Sequence, residues 1–276
     1  MNKHQQQFSH FQQNREKHFA PKIFAALKLQ YQQFLHVYKG DSHNALMAIS
    51  SVPIHNVLKS LYQDSVHYGS LVYSQLPKAP KKIKRMAPIG FNQEMIDLIN
   101  HYFAGDILNF SEGITDTTRE LIKAILQQAT EEGRGYDWIV EQLTSGSNDL
   151  TRNRSRLIAR TETVTATNHA AYFAAAKTGL LMVKQWLSAG DNRVRLDHEI
   201  VNGNKIGFDD YFQVGTNRML LPGARVQENG LPTDAGEVCN CRCNVLYIPQ
   251  RDHRGRLMEF DYGDTALGVI LPSLQM

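Results

Sequence analysis

The sequence lacks the long apolar runs that a membrane protein needs. No stretch of about eighteen apolar residues occurs, which excludes a membrane-spanning helix. The opening segment MNKHQQQFSHFQQNREKHF holds no apolar core of the kind that a signal peptide carries. With 42% hydrophobic residues the chain can still bury a substantial core. We therefore expect a folded protein that is made and kept in a cytosol and has no membrane partner.

Motifs that carry well-known chemistry are also missing. The chain holds no GxxxxGK[ST], GxGxxG, HExxH or GxSxG pattern, so a phosphate-binding loop, a dinucleotide site, a zinc protease helix and a nucleophile elbow are not indicated. No internal repeat is present. The sequence therefore predicts a protein that is not an enzyme.

Cysteine is scarce, and all three cysteines fall within five positions, at Cys239, Cys241 and Cys243. A reducing compartment and an odd number argue against structural disulfides. A redox role of these cysteines would need a CxxC pair, which the chain does not have. A metal site and a buried cluster of reduced thiols remain as alternatives.

The spacing of the cysteines limits what they can bind. In a straight strand, Cβ atoms two residues apart lie about 6.6 Å from each other, whereas two sulfurs on one zinc ion are at most about 4.6 Å apart. A regular strand would therefore supply two ligands at most, and a site with three cysteines needs a turn or a bulge. The nearest further candidates for ligands are Asp191, Asp197 and His198.

Acidic residues are rare in the first third of the chain. Residues 1–90 contain twelve Lys or Arg against three Asp or Glu, whereas residues 91–276 contain eighteen against twenty-four. Two basic runs are candidate phosphate contacts: TRNRSR at 151–156, and KKIKR with Lys81, Lys82, Lys84 and Arg85. Non-specific contact with double-stranded DNA through this basic front is one hypothesis, and such binding would depend strongly on salt.

Hydrophobic periodicity predicts a chain that is helical up to about residue 177. Apolar residues at three- and four-residue steps indicate helices over 14–39, 54–76 and around Met95–Ile107. A capping-box pattern at Thr117 and Glu120 predicts the start of another helix, and a short helix is expected around Trp138–Leu143. TSGSND at 144–149 is predicted as a loop, and the longest helix follows it, from about 153 to 177.

After Gly179 the pattern changes to short strands and tight loops, beginning with the predicted strand LMVKQWL. The predicted fold class is α+β, with a helical N-terminal region followed by a compact domain that contains a long helix and a small, loop-rich sheet. The proline-rich basic stretch 76–90 predicts a linker. We expect a basic helical arm over 1–90, a compact domain over 91–250 and a tail over 251–276.

The motifs of the second half resemble, in their order, the phage Mu F-like family of minor head or head-morphogenesis proteins of tailed phages. They are RTET and TNHAA on the long helix, then VKQW, DNRVRLDH, DYFQVG, LPG and NCRCNVLY, and the resemblance spans about 118–248. It implies a head protein at the portal vertex inside the capsid, made in the host cytoplasm. It implies the portal protein as a partner, with major capsid or scaffolding protein and packaged DNA as further partners.

The resemblance also marks a set of polar positions: Arg160, Glu162, Asn168, Asp191, Arg193, Arg195, His198, Cys241 and Cys243. Ala224 departs from the pattern, because a polar residue is expected after Pro222-Gly223. We expect His198, Cys241 and Cys243 to hold a structural zinc ion that pins DNRVRLDH to the last strand, with Cys239 as a further candidate ligand. The alternative is a hydrogen-bonded cluster, Arg160 and Asp191 included, that holds the same loops without metal.

A metal-dependent nuclease is the competing interpretation of the same residues. Asp197 and His198 followed by Asn217 invite comparison with a His–Asn–His nuclease, for which His253 is the remaining candidate ligand. A plain nucleic-acid-binding module built on the basic front is the third hypothesis.

Overall fold

The computed structural model describes residues 3–78, 88–146 and 148–260. Within these residues, seven helices precede the first strand, and the strands that follow pair in small antiparallel sheets. The predicted α+β class is therefore confirmed. In the part of the chain that is described, no helix combines the length and the apolar character needed to cross a membrane.

The helices of the N-terminal region are α1 (Lys3–Val37), α2 (Ser42–Met47), α3 (Val52–Asp64), α4 (Val66–Gln75), α5 (Pro88–Glu131), α6 (Tyr136–Glu141) and α7 (Asn148–Ala176). A π-helical turn, Gln142–Gly146, follows α6. The later elements are β1 (Met182–Leu187), α8 (Leu196–Ile200), β2 (Lys205–Gly207), β3 (Phe212–Val214), β4 (Asn217–Met219), α9 (Ala235–Val238) and β5 (Asn244–Pro249).

Two helix predictions are wrong in their bounds because the helices continue beyond the expected starts or ends. Helix α1 begins at Lys3 rather than at residue 14. The two helices expected on either side of Thr117 are the single helix α5. The hydroxyl of Thr117 donates to the carbonyl of Gly113 one turn earlier, at 2.9 Å, instead of capping a new helix.

Three further bounds differ from the predictions. The helix expected over 54–76 is divided into α3 and α4, and α2 fills part of the predicted break before it. The loop expected at 144–149 is largely taken up by the π-helical turn and by the first residues of α7. Helix α5 begins at Pro88, inside the predicted linker, and residues 79–87 of that linker lie outside the described residues.

The chain divides into two compact units, and its helices contribute to both. The first unit comprises Met1–Asn14, Tyr62–Ile99 and Arg160–Met276, and the second comprises Arg15–Leu61 and Asn100–Ala159. The second unit is helical, and its core joins Tyr31 and Phe34 of α1 with Ile122 of α5 and Ile139 of α6.

The first unit contains the sheets. Strand β1 lies at the centre of a three-stranded antiparallel sheet in the order β2-β1-β5, and β3 pairs with β4 in a separate hairpin. Of the predicted tail over 251–276, the part up to Phe260 returns to the segment between α7 and β1, where the amide of Phe260 donates to the carbonyl of Gly179 at 3.0 Å. Residues 261–276 lie outside the described residues.

The beginning of α1 packs within the same unit as the sheets. His4 Nε2 lies 3.1 Å from the carbonyl oxygen of Val245 in β5, and the side-chain amide of Gln5 donates to the carbonyl of Ser188 at 3.0 Å. Phe8 and Tyr68 make an edge-to-face contact with ring centroids 5.5 Å apart. The beginning of α1 therefore belongs to the first unit, which contains the cysteines, while the domain bounds expected from the sequence stay a prediction.

Helices α4 and α7 approach closely at Gly69, and this position gives a test of the packing. A Cβ atom added at Gly69 would lie 2.8 Å from the carbonyl oxygen of Ala170. Because that neighbour is backbone, we expect Gly69→Ala to lower the free energy of unfolding by about 1–3 kcal/mol. Gly113→Ala in α5 is the matched control, since nothing lies within 4 Å of its added Cβ, and it should be neutral or stabilising by up to about 1 kcal/mol. Urea unfolding of the two variants measures the difference, and equal losses would contradict the close packing.

Lys184 lies in the centre of the sheet and is fully buried. Its ammonium group lies 5.8 Å from the ring centre of Tyr172 and 5.6 Å from that of Phe212. Burial lowers the pKa of Lys184 to about 7, although the nearby carboxylates of Asp209 and Asp210 favour the charged form.

We expect the buried lysine to make the protein more stable as the pH rises. Between pH 7 and about 10 the unfolded chain binds a proton at Lys184 that the folded chain has lost, so the free energy of unfolding increases with pH in that window. Replacing it in Lys184→Met should remove this slope and stabilise the protein at pH 7 by roughly 1–3 kcal/mol. Unfolding by urea at several pH values measures both effects, and an unchanged slope in the variant would contradict the assignment.

Candidate metal centre

The three cysteines lie on a turn between α9 and β5 rather than on a strand. Asn240 adopts the left-handed backbone conformation, with φ of 60°, which asparagine tolerates better than most residues. The turn brings Cys241 and Cys243 together, and the amide of Cys243 lies 3.4 Å from the sulfur of Cys241. The spacing argument required a turn for a site with three cysteines, and the group that forms here contains two of them. We call residues 239–243 the cysteine turn.

His198 faces the cysteine turn from helix α8. Its Nδ1 atom lies 3.3 Å from the sulfur of Cys243 and 3.7 Å from that of Cys241, and all three ligand atoms lie within 4.8 Å of one another. Zinc–sulfur and zinc–nitrogen bonds of about 2.3 and 2.0–2.1 Å at a tetrahedral angle place N and S about 3.5–3.6 Å apart. The spacing and the chemistry of these donors therefore fit three of the four ligand positions around a metal such as zinc.

The other nitrogen of His198 is bound to an acidic side chain. Nε2 lies 2.8 Å from a carboxylate oxygen of Glu237 in α9, and the Trp186 ring meets the imidazole edge-on at 5.4 Å between centroids. His198, Cys241 and Cys243 are each 2% exposed. The imidazole is thus bound by Glu237, contacted by Trp186 and kept away from solvent.

The charges of the site favour a thiolate. The hydrogen bond with Cys243 and the contact with His198 hold the pKa of Cys241 well below its usual value. The same hydrogen bond and burial raise the pKa of Cys243. Burial alone would lower the pKa of His198, but its hydrogen bond with Cys241 and the negative charges of Cys241 and Glu237 raise it. A deprotonated sulfur is the form that binds metal.

Cys239 and the nearby aspartates are placed differently from these three residues. Cys239 is partly exposed and does not belong to the group of close ligand atoms. Its carbonyl accepts a hydrogen bond from the guanidinium of Arg195. Among the described residues, His198, Cys241 and Cys243 form the one group of this kind, and it does not include Asp191 or Asp197.

Three of the predicted polar residues hold the cysteine turn in place. Arg160 on α7 donates to the side chain of Asn240 at 2.6 Å, and Arg195 binds the turn through the carbonyl of Cys239. Asn168, also on α7, donates to the carbonyl of Cys243 and to that of Pro222, both at 3.1 Å. The turn is therefore fixed from the long helix and from the DNRVRLDH loop at once.

The remaining predicted polar residues form two further contacts. Both oxygens of Asp191 accept from the guanidinium of Arg242, one of them at 2.8 Å, and this pair holds the pKa of Asp191 below its usual range. The amide of Arg193 also donates to Asp191, at 3.0 Å. Glu162 lies apart from the turn contacts and binds the guanidinium of Arg225. Ala224, where a polar residue was expected, is buried next to this arginine.

The residues of the nuclease interpretation do not share one site. The side chain of Asn217 binds Asp234, donating to its carboxylate at 2.9 Å and accepting from its amide at 3.1 Å. His253 is exposed, and its ring lies 3.3 Å from the guanidinium of the adjacent Arg254. Of these residues only His198 faces the sulfurs.

The predictions for the two basic runs have different outcomes. Lys81, Lys82, Lys84 and Arg85 lie outside the described residues. In the run at 151–156, Arg154 donates to the hydroxyl of Thr118 at 3.0 Å and to the carbonyl of Ile114. Arg154, which is half-buried, therefore joins two helices of the second unit.

Two residues of the site were missed by the sequence analysis. Glu237 contacts His198, and Arg242 holds Asp191. Both lie in the stretch GEVCNCRC that contains the cysteines. Proximity to a candidate ligand could have drawn attention to them, but nothing in the sequence gives the direction of their side chains.

The comparison with protein families agrees with the order of the motifs. Residues 120–246 match the family described as Phage Mu protein F like protein. No curated protein and no solved structure is similar enough to this chain to count as a match.

Proposed function

We propose that this chain is a minor structural protein of a tailed-phage head. It contains a Phage Mu protein F like domain at residues 120–246, which is a domain of a phage head morphogenesis family. Its place would be at the portal vertex inside the capsid. The observation that supports this most is the family match, whose range includes all three residues of the buried metal group.

The metal group favours a structural role within that domain. His198, Cys241 and Cys243 would hold a zinc ion, which would cross-link α8 to the cysteine turn. A catalytic zinc needs a position open to substrate, whereas these three side chains are almost fully buried. Their burial supports a zinc ion that stabilises the fold.

Portal protein is the proposed partner, with major capsid or scaffolding protein as further candidates. Sedimentation velocity of the purified protein mixed with the portal ring of the same phage tests the first contact. We expect a stoichiometric complex, and we expect phage heads that assemble without this protein to be fewer or defective. No complex, together with normal heads in its absence, would contradict the proposal.

Contact with packaged double-stranded DNA is proposed for the basic run that contains Lys81, Lys82, Lys84 and Arg85, because residues 1–90 carry a large excess of positive charge. Substituting the four residues by serine should weaken DNA binding and reduce its salt dependence, since each phosphate contact contributes about one unit to the slope of log K against log salt. Fluorescence anisotropy at several salt concentrations measures both quantities. An unchanged slope would contradict DNA contact by this run.

A further inference from the structure

We infer that Glu237 is the positioning residue of the metal centre, because its carboxylate fixes the His198 tautomer that presents Nδ1 to the metal. This inference rests on the zinc site of the proposed function. Nε2 of His198 lies 2.8 Å from Glu237 Oε2, while Nδ1 lies 3.3 Å from the sulfur of Cys243 and 3.7 Å from that of Cys241. Opposite edges of one ring therefore face the carboxylate and the sulfurs.

The chemistry of the imidazole makes this arrangement directional. A neutral imidazole carries one N–H donor and one acceptor nitrogen, and an ionised carboxylate can only accept. The proton must then stay on Nε2, which leaves the lone pair of Nδ1 directed at the metal position. Partners of this kind that hold a ligating histidine typically change metal affinity by about 10–100-fold when they are removed.

The orientation of Glu237 is itself supported by the fold. Its amide donates to the carbonyl of Asp234 at 2.9 Å, and Asp234 is held by the two hydrogen bonds with Asn217 at the start of β4. The Trp186 ring packs edge-on against the imidazole and restricts rotation of His198. Asn217, which the nuclease interpretation placed near a reacting centre, instead supports the residue that holds the ligand.

The test compares the zinc affinity of the full-length protein with that of Glu237→Ala, Glu237→Gln and Glu199→Gln. Glu199 is the matched control, because it is exposed and follows His198 on the same short helix. Competition with a chromophoric chelator should show an affinity about 10–100-fold lower for Glu237→Ala. Glu237→Gln, which keeps an acceptor oxygen but not the charge, should fall between it and the wild type, and Glu199→Gln should leave affinity unchanged.

Nitrogen-15 NMR of the zinc-loaded wild-type protein gives a readout that a merely structural role would not change. We expect His198 to show a protonated Nε2 and a metal-bound Nδ1. Coordination through Nε2, or Glu237→Ala binding zinc as tightly as Glu199→Gln, would overturn the inference while leaving the zinc site intact. A wild-type protein that binds no zinc would overturn the zinc proposal and this inference together.

Discussion

Replacing both Cys241 and Cys243 by serine is expected to release one zinc ion per chain and to cause the largest loss of stability of any change considered. The two sulfurs and His198 join α8 to the cysteine turn, and the segments that they join are short and loop-rich. In small peptides a structural zinc ion contributes on the order of 10 kcal/mol to folding. We expect a loss of several kcal/mol here, because other contacts also hold the turn.

Cys239→Ser is the matched control for this experiment, since Cys239 lies in the same turn but outside the close group of His198, Cys241 and Cys243. Plasma mass spectrometry of the purified proteins gives the zinc content, and thermal unfolding with and without a chelator gives the stability. We expect Cys239→Ser to keep its zinc and most of its stability. Zinc that persists in the double variant would contradict the assignment of ligands. An absence of zinc in the wild type would mean that the cysteines form a cluster of reduced thiols instead of a zinc site.

Replacing Arg225 by alanine is expected to lower the free energy of unfolding by about 3–5 kcal/mol. The guanidinium of Arg225 binds Glu162, whose side chain is 5% exposed. The other oxygen of Glu162 accepts from the hydroxyl of Tyr62 at 2.8 Å. Without the arginine, a buried carboxylate keeps one neutral partner and has no compensating charge, and this unpaired charge is the source of the loss.

Arg218→Ala tests the same pair of residue types in solvent. Arg218 binds Glu228 at 2.5 Å, and both side chains are about half exposed, so the loss should be at most about 1 kcal/mol. Urea unfolding of both variants at the same pH gives the comparison. If Arg225→Ala cost no more than Arg218→Ala, the buried pair would not stabilise the first unit in the way its contacts indicate.

How far the sequence predicted the fold depends on the range of the interactions involved. Helical periodicity correctly predicted that the chain is helical up to α7, and the change of pattern after Gly179 correctly predicted β1. Both signals arise between residues that are a few positions apart in the sequence. The same local signals misjudged Thr117. Its capping-box pattern usually begins a helix, yet Thr117 lies inside the long helix α5, whose packing outweighs local preference.

The candidate site shows the same division between what local signals predict and what packing decides. The residue types alone indicated a soft donor set, and the order of the motifs indicated the family, so His198, Cys241 and Cys243 could be named without a structure. The sequence did not show that Cys239 would be left out of the close group, because that depends on the left-handed turn at Asn240. Sulfur atoms two residues apart can face the same or opposite sides, and only the folded backbone decides which.

The sequence by itself therefore determined the fold class, the chemistry of the candidate ligands and the family resemblance, all of which depend on composition, order and short-range periodicity. Only the tertiary structure decided that Glu237 holds His198, that Arg225 neutralises Glu162 and that His4 reaches Val245. These partners are separated by 39, 63 and 241 positions. Contacts over such distances depend on how whole helices and strands pack, and no local pattern of residues records that packing.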